Sequence, residues 1–286
     1  MKIFLKSLAA LLFLALSIWA IRSDSVEERG SVVSAEPLPV PSGDASWRRD
    51  PLWDDGKAEF CAYDVIWSRY RNHYPGRALL VLVKEPWNPD LEVKADGPGA
   101  FEVLKLNHVR DVPTGIYTYH QMASVYLRRD SGALQKVAAT SSEACGISTA
   151  EMVRGRLETR SYFDGQGDRS LDYPAGAIPE DGLPAALRDF VTGEAPAKLR
   201  VFPSLMQSRF PELEAADWRV EKKEGEQEVR IQLLRKEQSL AYTFERQPPH
   251  HLLRFETGDG TVYQMKKCER LAYWEMHDPG GEAWWR

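Results

Sequence analysis

The residues of this chain best suited to chemistry lie between Phe101 and Gly146. Lys105, Asn107, Tyr117, Tyr119 and His120 supply an ammonium, an amide, phenols and an imidazole, groups that hold a polar ligand or move a proton. Further on comes Ser141-Ser142-Glu143-Ala144-Cys145-Gly146. A thiol before a glycine, with His120 on a nearby strand, offers a thiol–imidazole pair for nucleophilic catalysis. Serines and an acid at a strand-to-turn transition also satisfy backbone groups, which is the competing structural reading. No Gly-x-Ser-x-Gly elbow or cysteine-protease signature completes the set.

Other chemistries have less to stand on. The histidines are His73, His108, His120, His250, His251 and His277, and no pair has the spacing of a zinc helix. No Cys-x-x-Cys occurs, so no protein-built metal site is expected. Asp164, Asp168 and Asp172 share a glycine-containing loop without the terminal glutamate of an EF-hand, and a polar hairpin is the reading. Phosphate-loop and dinucleotide motifs are missing, and no cofactor is expected. A formal net charge of -5 opposes nucleic-acid binding. Trp67-Ser68-Arg69-Tyr70-Arg71-Asn72-His73-Tyr74 interleaves cations with aromatics, but one such octapeptide in an acidic chain reads as a solvated strand end.

The candidate residues need strands to position them. Phe101–Arg128 reads as a hairpin around Asp111-Val112-Pro113-Thr114-Gly115. In its first arm Leu104 and Leu106 face one way and Val103, Lys105 and Asn107 the other. In its second, Ile116, Thr118, His120, Met122, Ser124 and Tyr126 share a face opposite Tyr117, Tyr119, Gln121, Ala123 and Val125. Both faces mix apolar bulk with hydrogen-bonding groups, as the wall of a ligand-holding sheet would.

More strands surround this hairpin. Trp53-Asp54-Asp55-Gly56 launches Lys57–Trp67, and Ala78–Val83 follows, stopping at Glu85-Pro86-Trp87-Asn88-Pro89. Leu91–Lys94, Ala133–Ala144, Ile147–Val153 and Arg156–Phe163 continue the series. The closing meander comprises Trp218–Lys223, Val229–Lys236, Leu240–Arg246, Leu252–Glu256 and Thr261–Tyr273, with Thr257-Gly258-Asp259-Gly260 as a hairpin turn. Between the groups, Glu180–Val191 carries acids first, Pro184 in the first turn and Gly193 after the end, so a helix is expected there. Ser204–Phe210, bounded by prolines, reads as another helical turn. The pattern implies a mainly β fold: a curved antiparallel sheet, β-clam or open barrel with one or two short helices. Whether the strand groups form one sheet or two packed sheets is open.

The N-terminus speaks for location. Lys2 and Lys6 precede the apolar run Leu8–Ile21, and Arg22, Asp24, Glu27 and Glu28 follow, the pattern of an export signal or an uncleaved anchor. Residues 1–22 are assigned to that segment, 23–50 to a flexible linker and 51–286 to a single β-rich domain. The protein is expected in the periplasm or on the outer face of the inner membrane, with membrane association through the N-terminal segment. Export gives meaning to Cys61, Cys145 and Cys268, since disulfides persist outside the cytosol. They allow three pairings, each leaving one thiol over; small buried hydrophobes are the plainer reading. The tail Glu282-Ala283-Trp284-Trp285-Arg286 either docks on the body or touches a membrane interface.

Trp53–Glu59, Arg69-Tyr70, Val83–Pro86, Leu104–Asn107, Thr114–Tyr119 and Ser141–Glu143 resemble a group of exported bacterial proteins without assigned chemistry, some labelled septum formation inhibitors. The closing meander is similar to β-clam proteins of the lipoprotein-carrier type, whose curved sheet encloses an acyl-sized cavity. The export pattern, the lack of a complete catalytic motif and the aromatic-rich two-sided strands lead to a non-enzymatic cell-envelope protein holding an apolar or lipid-like molecule. The alternatives are an exported hydrolase or thiol enzyme using Cys145 or Ser141/Ser142 with His120, and an envelope scaffold.

Overall fold

The computed structural model describes residues 43–210 and 212–284. The expected export segment and linker residues 23–42 lie outside them, as do Trp285 and Arg286. Alternating apolar residues form β1 (Ala58–Arg69), β2 (Asn72–Asn88), β3 (Val93–Lys94), β4 (Phe101–Thr114) and β5 (Tyr117–Arg128). Then come β6 (Leu134–Glu143), β7 (Gly146–Val153), β8 (Arg156–Ser161), β9 (Arg169–Asp172), β10 (Ile178–Pro179) and β11 (Lys198–Phe202). The meander is β12 (Ala216–Glu224), β13 (Glu228–Arg235), β14 (Gln238–Glu245), β15 (Leu252–Glu256) and β16 (Val262–Leu271).

All sixteen strands belong to one sheet, which answers the question the sequence left open. β2, β4 and the strands through β9 follow in chain order on one side, and β10 through β15 do so on the other. The join lies in the middle, where β1 pairs antiparallel with β16. The two ends of the sheet curl toward each other. Tyr173, just past β9, packs on Phe202 of β11 with ring centres 4.8 Å apart. Arg169 of β9 donates to the Phe210 carbonyl. The result is a mainly β, open curved sheet with a few short helices.

The concave face carries the main core, including Leu104, Val125, Val137, Ile231, Leu233 and Phe244. Each such side chain contributes about 1.5–3 kcal/mol relative to remaining in water. The interior is filled by the segment after β10, where Leu183, Leu187, Phe190 and Val191 are buried. A continuous helix does not form. The segment is a 3-10 turn (Glu180–Gly182), α2 (Leu183–Ala186) and α3 (Asp189–Thr192), α1 being Ser46–Arg49. It bends where Arg188 reaches Glu59 and Asp189 reaches Trp47 and Arg48. Tertiary hydrogen bonds outweigh helical continuity at that point.

Other expectations are corrected. Residues 43–50, placed in the flexible linker, are part of the body. Trp47 and Arg48 are buried, and the Trp47 indole donates to Asp189 Oδ1 at 2.7 Å. Ser204–Phe210 is not helical; its carbonyls instead accept from the sheet, as Ser208 does from Ser148 Oγ at 2.6 Å. β2 does not stop at Pro86 but runs to Asn88. β1 pairs β2 only as far as Leu82, so a missing N–H at Pro86 breaks no β1 ladder. The hairpin turn of β4 and β5 tightens to Gly115-Ile116, with Gly115 at φ +66° as such a turn demands.

The reading of all three cysteines as buried hydrophobes is also corrected. Cys61 and Cys268 form a disulfide directly across the β1–β16 pair, and Cys145 is free and exposed. On the convex face a smaller apolar cluster of Ala58, Ala62, Leu79, Val81 and Val83 is covered by Tyr273 and Trp284. Trp284 meets Phe60 edge-on at 4.8 Å and lies under the Lys267 ammonium at 3.8 Å, so this half of the tryptophan pair docks on the body.

Candidate functional site

The pleat divides the residues singled out from the sequence. On β4 the even positions Leu104, Leu106, His108, Arg110 and Val112 are buried on the concave side. On β5 the odd positions Tyr119, Gln121, Ala123, Val125 and Leu127 join them. Tyr117 and Tyr119 therefore face inward, while Lys105, Asn107 and His120 face outward, and the five do not converge on one ligand.

The outward members are engaged in local pairs. Lys105 Nζ donates to Glu85 Oε1 at 2.7 Å, and Asn107 Oδ1 accepts from Ser124 Oγ at 2.7 Å. The exposed His120 sits 2.9 Å from Asp111 Oδ1, its cross-strand partner. A depression of about 380 Å³ on that convex face is floored by small side chains such as Ala138, Thr140 and Thr149.

The nucleophile candidates assemble no catalytic pair. Ser141 is buried and bonded to Gln121 Nε2 and Ser208 Oγ, both at 2.9 Å. Ser142 Oγ donates to the backbone carbonyl of His120 rather than to its ring. Glu143 pushes the Cys145 thiol pKa up, away from the thiolate a nucleophile needs. Of the acidic loop, Asp172 pairs with Arg156 at 2.9 Å and Asp168 with Arg160 at 3.6 Å.

The concave side holds a cavity of about 680 Å³. Trp67 and Arg69 of β1, His108 and Arg110 of β4, and Gln121 of β5 form one wall. Val201 of β11 and Trp218, Leu240, Tyr242 and Phe255 of the meander complete the lining, Phe255 lying against His108. Glu180 to Pro184 and the Pro203–Arg209 segment cover it, and exposed Arg209, Glu212, Glu214 and Asp259 ring its mouth. Tyr119 supports the wall from behind. Its ring lies edge-on to Trp67 at 4.8 Å, and its hydroxyl is 2.6 Å from that of Tyr70.

Arg110 is the centre of the polar wall. Its Nε donates to Gln121 Oε1 at 3.0 Å, as does Nη2, and Nη1 donates to the Tyr263 hydroxyl. The guanidinium lies 4.8 Å from the Trp67 ring centre. Gln121 is fixed in turn by Ser141 and by the Met206 carbonyl at 3.2 Å, which ties the covering segment to the wall. His108 packs edge-on against Phe255 and Tyr263, with its Nε2 buried and unpartnered. Burial, then the Arg110 charge, pushes the His108 pKa down to about 3, so the ring is neutral. Burial, then the Asp181 charge, pushes Glu180 up to about 8. Asp181 is raised by burial but accepts from Ser204 Oγ at 2.6 Å and Leu205 N at 2.7 Å.

Sequence reasoning did not single out Arg110, His108, Glu180 or Tyr263. A signal for the first two was present: charged or imidazole groups at inward positions of an alternating strand, in step with Leu104 and Leu106. Nothing in the sequence joins Glu180 or Tyr263 to them, because those contacts depend on the curl of the sheet.

No protein-family model matches the chain, and no curated protein matches it. A solved structure similar in fold is a β-barrel-like protein of a domain of unknown function, DUF1849, from Brucella abortus. The two chains are 10% identical, with a TM-score of 0.42 over 76% of this chain and 98% of that one.

Proposed function

We propose that this is a non-enzymatic binding protein of the cell envelope that holds an apolar or lipid-like molecule inside its curved sheet. The observation that carries this reading is the cavity of about 680 Å³, within the size range of small-molecule sites and lined by apolar side chains together with a few converging polar groups. Leu240, Phe255, Trp218 and Val201 supply surface that gains by being removed from water. The location rests on the export pattern at the N-terminus and on the Cys61–Cys268 disulfide, which suits an oxidising compartment. An enzymatic reading has no comparable support, since Ser141 is committed to a structural network and the Cys145 thiol is tuned the wrong way.

The test is uptake by delipidated protein. A fluorescent fatty acid should bind saturably with one site per chain, and native mass spectrometry of freshly purified protein should show a co-purifying small molecule. Leu240→Trp, which fills the cavity from its apolar lining, should abolish both. A wild-type protein that binds no amphiphile and carries none would overturn the reading.

A further inference from the structure

We propose that the cavity selects an amphiphile with an anionic oxygen head, a carboxylate or phosphate monoester, and that Arg110 is the head-group site. This inference rests on the binding reading above and adds the chemistry of the ligand. Its basis is a contrast among buried arginines. Arg48, Arg110 and Arg188 are 3%, 6% and 4% exposed. Arg48 is paired with Asp189 at 3.0 Å, and Arg188 is paired with Glu59. Arg110 alone of the three has no carboxylate oxygen within 4.0 Å among the described residues. Its partners, Gln121, Tyr263 and the Trp67 ring, are all neutral.

A buried charge without a counter-ion costs several kcal/mol, so its retention at the wall of a cavity is informative. No carboxylate closes on it: Asp181 turns its oxygens to Ser204 and Leu205 and acts on Arg110 only from beyond ion-pair distance. Burial and the Asp181 charge raise Glu180 toward its neutral form. Arg110 also keeps N–H donors beyond those given to Gln121 and Tyr263, in the planar fork that suits carboxylate and phosphate oxygens.

A second observation points the same way. His108, two residues along β4 and 4% exposed, lines the cavity with Nε2 unpartnered. The polar part of the cavity thus presents Arg110, His108 and Glu180, while Leu240, Trp218 and Val201 elsewhere on its lining offer apolar surface to a hydrocarbon tail. An ammonium head would meet the guanidinium with like charge, and a hydroxyl head would leave it without a counter-ion.

The experiment is calorimetric titration of the delipidated, folded protein with dodecanoate, dodecyl phosphate, dodecanol and dodecylamine at neutral pH. At least one of the two anions should bind about tenfold or more tightly than the alcohol and the amine, the scale of a charge-assisted pair. The better anion identifies the head group. Arg110→Met should bring the anion-to-alcohol ratio to within about twofold, and Arg110→Lys should keep part of it. Equal affinities for all four in the wild type, or a preference untouched in a folded Arg110→Met protein, would overturn the assignment while leaving the binding reading intact. Binding of none would overturn the binding reading itself. If Arg110→Met does not fold, the wild-type series still decides the head-group class, and an anion-to-alcohol ratio unchanged in Arg110→Lys would overturn the site.

Discussion

Cys61 and Cys268 stand opposite each other on β1 and β16, joined across 207 residues of sequence. They close the seam at which the outermost strands in the chain order become neighbours at the centre of the sheet. Every other antiparallel pair in the sheet is made by strands close in sequence, so this ladder carries the largest loop-closure cost in the fold.

Removing the bridge should therefore be expensive. Cys61→Ala/Cys268→Ala is expected to lose about 5 kcal/mol, the chain-entropy value for a loop of this length. Denaturant titration of the oxidised, reduced and double-mutant proteins checks it. Reduced wild type and the double mutant should agree, and both should fall below the oxidised form.

Stability should depend on pH in two opposed ways. Glu180 is raised from 4.5 to about 8, so its contribution is full below 4.5 and is lost as pH rises to about 8. His108 is lowered from 6.5 to about 3, so its contribution is full above 6.5 and is lost as pH falls toward 3. Glu180→Gln should remove the fall in stability between about pH 4.5 and 8, and His108→Leu the fall between about pH 6.5 and 3. Chemical denaturation at several pH values measures both, and profiles unchanged by either substitution would contradict the assignments.

The segment ahead of β1 should prove part of the fold. Asp189→Ala leaves the buried Trp47 indole and Arg48 guanidinium without their acceptor and is expected to cost about 3–5 kcal/mol. Burial pushes Asp189 up to about 6, with Arg48 opposing. Thermal unfolding of this variant, and proteolysis at residues 43–50, should show the segment released.

Cys145 should behave as an unactivated surface thiol. Glu143 raises its pKa, so Glu143→Gln should shift the pH profile of alkylation to lower pH. Cys145→Ser should leave ligand uptake as it was. Loss of a measurable activity in that variant would revive thiol chemistry.

The outward residues of the central hairpin offer a matched contrast. His120→Ala, at an exposed position paired with Asp111, should change stability by no more than about 1 kcal/mol and leave amphiphile binding alone. Arg110→Met, ten positions away on the facing strand and the other side of the pleat, should alter it. Titrating both variants with the same ligand separates the two faces.

Much of this protein was already determined by its sequence. Period-two alternation assigned the faces of β4 and β5 correctly, because the pleat is a local property of the backbone. The mainly β class, the Leu252–Glu256 strand and the Gly115 turn follow from equally local rules. The tertiary structure decided everything that depends on distant segments meeting. The β1–β16 seam chose one cysteine pair out of three, and the curl brought Tyr263 and Glu180 to Arg110. The pull of Glu59 and Trp47 on Arg188 and Asp189 broke a helix that local signals favoured. Lys105 and His120 read from the sequence as part of a ligand-holding wall, yet the pleat places them on the face outside the cavity. Spacing reveals which side chains share a face, but only closure of the sheet decides which face encloses a site.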